Sequence, residues 1–211
     1  MVKTHNIIIH NDQIELEAEI YESFSIKDIF VLLCHPDPRM GGNFHNNIIS
    51  GIFKSLISND ISCLRFNFRG VGKSTGSFSN GEGELRDVKS CIDFVIETKE
   101  GRKIFLVGYS FGALIGCAAI NYNDNIIGFA AISLPFEHYA QKIENLTRSD
   151  KPKLFVQGDN DNFVPLSNFY KYYTSYQEPK NSLIIKGADH FYWGFEEKIA
   201  SEIIKFILSL K

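Results

Sequence analysis

The chain has 211 residues, 44% of them hydrophobic and 22% charged, which supplies one α/β core and excludes disordered, collagen-like and disulfide-scaffold classes. Lysine and arginine number 22 against 25 aspartates and glutamates, so a net charge of −3 offers no broad cationic footprint for nucleic acid or an anionic membrane. Four cysteines, Cys34, Cys63, Cys91 and Cys117, stand far apart without a Cys-x-x-Cys pair, which suits buried thiols in a reducing compartment better than zinc or dithiol chemistry.

Taken in chain order, Ile14, Leu16, Ala18 and Ile20 alternate with Glu15, Glu17 and Glu19, the period of a strand with one wet face. Asn11-Asp12 would turn this strand back against Ile7–Ile9 as an antiparallel pair. The start of the chain lacks a signal-peptide core, and no stretch approaches the ~20 apolar residues of a membrane span, so a soluble, cytoplasmic protein is expected. The pattern then changes. Short apolar runs at Ile29–Cys34, Ile61–Phe66, Lys103–Val107, Ile126–Ile132, Leu154–Val156 and Leu183–Ile185 read as buried parallel strands.

Between them lie helical segments at about Asn46–Ser58, Glu82–Thr98, Phe111–Asn121, Glu137–Leu146, Leu166–Tyr176 and Phe195–Leu210. In the second, Leu85, Val88, Ile92 and Val95 recur at helical spacing opposite Glu84, Arg86, Asp87 and Lys89. Such alternation predicts a three-layer α/β/α sandwich around a mostly parallel sheet, with chemistry on loops beyond the strands' carboxyl ends. No repeat, low-complexity block or long linker interrupts it, so residues 1–211 are expected to form one domain.

Gly108-Tyr109-Ser110-Phe111-Gly112 follows the strand KIFLV and precedes the apolar helix ALIGCAAI, the arrangement of a nucleophile elbow. A serine on so tight a turn needs strained backbone angles, and the flanking glycines remove side chains that would collide. Ser110 would project its hydroxyl outward, with the Phe111 N–H at a helix N-terminus able to face an oxyanion. A glycine-rich turn with an incidental serine is the bland alternative.

A serine hydroxyl needs a base, and the base an orienting acid. His190, in Gly187-Ala188-Asp189-His190 after the last strand, alone among six histidines stands late enough to complete the order Ser, Asp, His. In KLFVQGDNDNFVP, Asp159 and Asp161 are both candidate acids, with Glu137 a weaker one; Asp189 adjoins the base and is badly placed to bond its ring. After IFVLLC comes His35-Pro36-Asp37-Pro38; prolines lack an N–H, which leaves Asp37 as the backbone donor between them, provided its carboxylate turns away. The alternative there is a rigid turn that only shapes the pocket.

The segments HPDPRMGG, RFNFRGVGKSTGSF, GEGELRDV, GYSFG, GDNDNFVP and GADHFYWG resemble, nearly end to end, those of compact bacterial serine hydrolases of the α/β-hydrolase superfamily, related to dienelactone-hydrolase-like and esterase-like proteins. The resemblance implies an eight-stranded sheet, a triad of Ser110, Asp161 and His190, and oxyanion donors at Phe111 and Asp37. The spacing Gly158-x-x-Asp161-x-x-Val164-Pro165 looks like that family's acid loop, which favours Asp161 and leaves Asp159 to hold the turn. Asp37 departs from the residue relatives often carry after His-Pro.

Gly70-Val71-Gly72-Lys73-Ser74 invites a phosphate-loop reading, but Asn67 stands where that motif needs glycine and no helix pattern follows; Thr75 likewise spoils a dinucleotide fingerprint. Arg69 is expected to anchor this loop and Lys73 to be solvated. Only residues 133–152 lie between the sixth strand, Ile126–Ile132, and the strand that leads to the acid loop, enough for a short helix and no cap domain. Tyr109, Phe136, His138, Tyr139, Phe191, Tyr192 and Trp193 are candidates to line an apolar acyl pocket, or to pack loop against helix. The sequence thus points to a hydrolase of esters or thioesters acting on a small acyl substrate, with no metal or cofactor and no nucleic-acid or membrane partner, and says nothing of oligomeric state. Competing readings are a small peptidase, a non-catalytic scaffold on the same fold, and a nucleotide-binding protein.

Overall fold

The computed structural model describes residues 4–23, 28–99, 101–136 and 147–210. Among these, eight strands form one sheet: β1 (His5–Asn11), β2 (Ile14–Tyr21), β3 (Ile29–Cys34), β4 (Ser62–Phe66), β5 (Lys103–Tyr109), β6 (Ile126–Ile132), β7 (Lys153–Gly158) and β8 (Lys180–Ile185). Their order is β1-β2-β4-β3-β5-β6-β7-β8, with β1–β2 and β2–β4 antiparallel and all other pairs parallel. Among the same residues five α-helices accompany them: α1 (Asn47–Ser58), α2 (Glu82–Thr98), α3 (Phe111–Cys117), α4 (Leu166–Tyr173) and α5 (Glu196–Ser209).

Alternation along the central strands builds a core on each face. Phe30, Leu32, Ile104 and Leu106 point to the side covered by α2, α3 and α4, while Val31, Leu33, Phe105 and Val107 meet α1 and α5. Both faces are therefore dry, which explains the continuous apolar runs of β3, β5 and β6. All four cysteines are buried free thiols, and burial pushes each above the ordinary thiol range.

The expected strands, and the expected helices that fall within the described residues, are found with shifts at their ends. α3 stops at Cys117 instead of Asn121 because Ala119 and Ile120 donate three residues back, to Gly116 and Cys117, and tighten the last turn. α4 closes in the same way at Ser175 and Tyr176. β8 starts earlier than its apolar run, since pairing with β7 carries the polar Asn181 and Ser182 along the sheet edge. The helix expected over Glu137–Leu146, the alternative acid Glu137 and the aromatic candidates His138 and Tyr139 lie outside the described residues. No separate cap domain is found among the described residues, and no helix there is long and apolar enough to cross a membrane.

The acidic face of β2 is wet at Glu15, which is exposed, while Glu17 and Glu19 are half-buried by partners. Glu19 pairs with Arg65 at 2.9 Å through Nε, and Glu17 accepts from Asn67 Nδ2 and the Lys73 N–H, both at 2.9 Å. The glycine-rich loop after β4 thus gives Lys73's amide to a carboxylate and not to a phosphate, while the Lys73 side chain is exposed. Arg69 anchors it as expected: its Nη2 lies 2.6 Å from Asp87 Oδ1 and its backbone N–H 3.0 Å from Oδ2.

The chain runs from β3 toward β4 on one side and then returns past β3 to β5 on the other. Strand order reverses there, with Cys34 beside Gly108 in the ladder, and the crevice beyond the two carboxyl ends is where such sheets bind ligands.

Candidate active site

Ser110 occupies the turn between β5 and α3 at φ 53, ψ −119, a left-handed conformation unfavourable for a residue with a Cβ. Its backbone is pinned by a 2.8 Å bond from its N–H to the Ile132 carbonyl. Its hydroxyl does not cap α3. The glycines are required by contact: a Cβ on Gly108 would lie 2.3 Å from the Gly112 carbonyl oxygen, and one on Gly112 would lie 2.2 Å from that of Cys34.

His190, on the loop after β8, reaches both expected partners. Its Nδ1 is 2.8 Å from Asp161 Oδ2 and its Nε2 is 3.1 Å from Ser110 Oγ. Since a carboxylate only accepts, Nδ1 carries the proton toward Asp161, which leaves Nε2 in the neutral ring to accept the Ser110 O–H. The structure therefore joins Ser110, His190 and Asp161 in one hydrogen-bonded line.

Asp161 is buried and crowded with donors. Its Oδ1 accepts from the N–H groups of Phe163 (2.9 Å) and Val164 (2.8 Å), and its Oδ2 also accepts from Ser133 Oγ (2.6 Å) and Gln157 Nε2 (3.1 Å). Burial pushes its carboxyl up, but hydrogen bonds from His190 and Ser133, the His190 charge and the Val164 amide outweigh it and hold the group below the ordinary range. The other acids hold loops. Asp159 accepts from the Gly187 N–H at 2.7 Å, and Asp189 accepts from those of Phe191 and Tyr192 at 2.9 and 3.2 Å. The Tyr109 hydroxyl donates to the His190 carbonyl, which fixes the backbone of the base from below.

Across the crevice, His35 is fully buried, donating through Nδ1 to the Pro36 carbonyl at 2.7 Å and accepting the Phe68 N–H at Nε2, 3.0 Å away. Burial lowers its titration to about 4, against a weaker pull upward from the Pro36 hydrogen bond, so it is a neutral strut at neutral pH. Asp37 turns its carboxylate onto Arg39, with contacts of 2.8 Å to the backbone N–H and 2.7 Å to Nη2. Its own N–H and that of Phe111 meet no acceptor among the described residues.

A cavity of about 350 Å³ opens over Ser110 and His190. Pro36, Asp37, Arg39, Met40, Gly41, Gly42 and Asn46 form one wall; Tyr109, Ser110 and Phe111 the floor; Pro135, Phe163, Val164 and Phe191 the other wall. Of the expected pocket residues, Tyr109 and Phe191 are lining residues. Phe136 is not: it stacks on Tyr172 at 5.2 Å inside the core. Tyr192 is buried with its hydroxyl on Ser133, and Trp193 is 71% exposed away from the cavity. Phe163, whose ring centre is 4.9 Å from that of His190, and Met40 were not singled out in the sequence, although both sit inside motifs that were, the acid loop and HPDPRMGG. Among the described residues no group of three or more His, Cys, Asp or Glu side chains is placed to hold a metal ion.

Comparison with known proteins agrees with this architecture. Residues 28–202 match the alpha/beta hydrolase domain family. An uncharacterized protein of Rickettsia prowazekii is 29% identical over 203 residues, covering 93% of this chain and 85% of the relative. The structure of an alpha-beta serine hydrolase homologue from Coxiella burnetii superposes with a TM-score of 0.87 at 30% identity, over 95% of this chain and 96% of that one. A serine hydrolase without a lid from Xanthomonas campestris, 21% identical, shares the fold at a TM-score of 0.87 over 99% of this chain and 95% of its own. With its sheet order, its strand-to-helix serine turn and a family match over most of its length, this chain belongs to the alpha/beta hydrolase family.

Proposed function

We propose that the protein hydrolyses carboxylic esters or thioesters through an acyl-enzyme on Ser110. The observation that carries this reading is the His190 ring lying between Ser110 Oγ at 3.1 Å and Asp161 Oδ2 at 2.8 Å. Ser110 Oγ attacks the acyl carbon as His190 Nε2 takes its proton, and Asp161 keeps the ring in the Nδ1–H form and stabilises the cation that develops. The carbonyl oxygen, now an anion, faces the free N–H groups of Phe111 and Asp37, while the Asp37 carboxylate is neutralised by Arg39. His190 then protonates the departing alkoxide or thiolate. Water, deprotonated by the same nitrogen, attacks the acyl carbon, and as the acyl–Oγ bond breaks His190 returns that proton to Ser110 Oγ and the acid departs.

The apolar walls contributed by Met40, Phe163, Val164 and Phe191 suit an apolar acyl group. Phe163 and Phe191 are 54% and 46% exposed at the mouth, which supports entry of substrates of varied shape. The test is a fluorophosphonate probe beside a panel of esters, thioesters and small peptides. The probe should label Ser110, and Ser110→Ala should lose more than about a thousandfold in kcat on esters or thioesters. An unlabelled protein, or unchanged turnover in the variant, overturns the reading.

A further inference from the structure

We propose that Ser133 and Tyr192 are positioning residues for this reaction, forming a buried hydroxyl relay that holds Asp161 Oδ2 in line with His190. The inference rests on the acyl-enzyme reading and adds two residues that do not line the cavity to its machinery.

The direction of every bond in the relay is fixed by chemistry. The Gly158 N–H can only donate, so the Tyr192 hydroxyl accepts it, at 2.9 Å. Asp161 only accepts, so Ser133 donates its proton to Oδ2, at 2.6 Å. The single proton of Tyr192 is left for Ser133 Oγ, 2.7 Å away. One ordered chain results, from the end of β7 through Tyr192 and Ser133 to the carboxylate.

Burial pushes the Tyr192 phenol above its ordinary range, so the relay orients hydrogen bonds without passing protons. Its two members come from separate places in the fold. Ser133 follows β6, with φ 46 and its N–H on the Val156 carbonyl at 2.9 Å. Tyr192 lies two residues beyond His190, with φ 55, so one side chain ties the loop of the base to the ends of β6 and β7. Both residues sit in the left-handed region, a backbone cost borne where two hydroxyls must meet one carboxylate. The titratable groups facing Asp161 are His190 and Tyr192 from the last loop and Tyr109 from β5, with Asp189 acting on both tyrosines.

Removing Ser133's proton leaves Oδ2 with two donors and freedom to turn. A carboxylate relieved of one donor also holds a protonated imidazole ring more tightly. The experiment compares Ser133→Ala, Tyr192→Phe and the double variant for kcat, KM, pH profile and melting temperature on an ester that the wild type cleaves. The downfield proton resonance of the His190–Asp161 bond is followed alongside. In Ser133→Ala, kcat should fall about tenfold with KM unchanged, and the acidic limb of kcat/KM should move to higher pH. Tyr192→Phe should show a smaller loss, and the double variant should fall no lower than Ser133→Ala.

A drop in melting temperature alone, with kcat, acidic limb and proton resonance at wild-type values, overturns the proposal. So does a double variant whose loss is the product of the single losses. Should Ser133→Ala not fold, Tyr192→Phe, which keeps the ring, decides by its kcat and proton resonance. Wild-type protein that the fluorophosphonate probe does not label removes the acyl-enzyme reading and this proposal with it. Labelled wild type beside unaltered variants removes only the relay.

Discussion

Two polar clusters lie on the same sheet and differ in what they leave unused. At the antiparallel edge, Arg65 meets Glu19, Arg69 meets Asp87, Asn67 meets Glu17, and Glu84 accepts from the N–H groups of Ser79 and Gly81. None of these side chains lines the cavity over Ser110, and each carboxylate accepts hydrogen bonds inside the fold. At the carboxyl ends of β3, β5, β7 and β8, by contrast, the Ser110 hydroxyl and the N–H groups of Phe111 and Asp37 border open space. Charge density alone would have ranked the first cluster higher. Hydrogen-bonding capacity left over after folding is what separates a site from a scaffold.

The comparison can be broken most forcefully at its active half. Asp161→Asn should retain the fold yet lose roughly four orders of magnitude in kcat, because an amide presents a donor to His190 and favours the wrong tautomer; steady-state ester kinetics measure this. At the other half, Asp87→Ala strands the nearly buried Arg69 guanidinium and also strips Asn11 Nδ2 of a 2.8 Å partner. Urea unfolding should record a loss of about 3–5 kcal/mol, while the kcat of the folded fraction stays at the wild-type value. A large kcat defect in that variant would mean the two clusters are coupled.

The smallest effect concerns His35, which stands between the halves. Its folded value of about 4 lies below the ordinary 6.5, so between these pH values the unfolded chain binds a proton that the native state refuses. Stability should therefore fall as pH drops through that window, by roughly 3 kcal/mol in full. His35→Gln should remove this slope in a series of urea midpoints. The contribution of Asp161, a depressed carboxylate, disappears only at lower pH, as acid reaches its folded value below the ordinary range.

Much of this was legible in the chain because it is local. The alternation of Phe30, Val31, Leu32 and Leu33 is a property of neighbours, and it placed β3 at its observed bounds. Ser110, Asp161 and His190 each sit in a short motif whose geometry is set by the residues beside it. The cavity walls were less legible. Phe136 and Phe163 are both aromatic and both follow strand ends, but the first turns into α4 and the second over His190, a choice made by packing across the sheet. Ser133 was invisible for the same reason: its role exists only where the ends of β6 and β7 and the final loop converge. In β2 the alternation located the polar face, where Glu15 is exposed, but could not report that Arg65 and Asn67 across the strand pair half-bury Glu19 and Glu17.

The approach of Gly112 to the carbonyls of Cys34 and His35 has a thermal consequence. Main chain rests on main chain there, with no rotamer on either side to repopulate as temperature rises. The gap between the serine turn and the segment bearing Asp37 is accordingly a gauge with no moving part. Heating that loosens the aromatic rim at Phe163 and Phe191 leaves that gap unchanged until the first turn of α3 itself gives way.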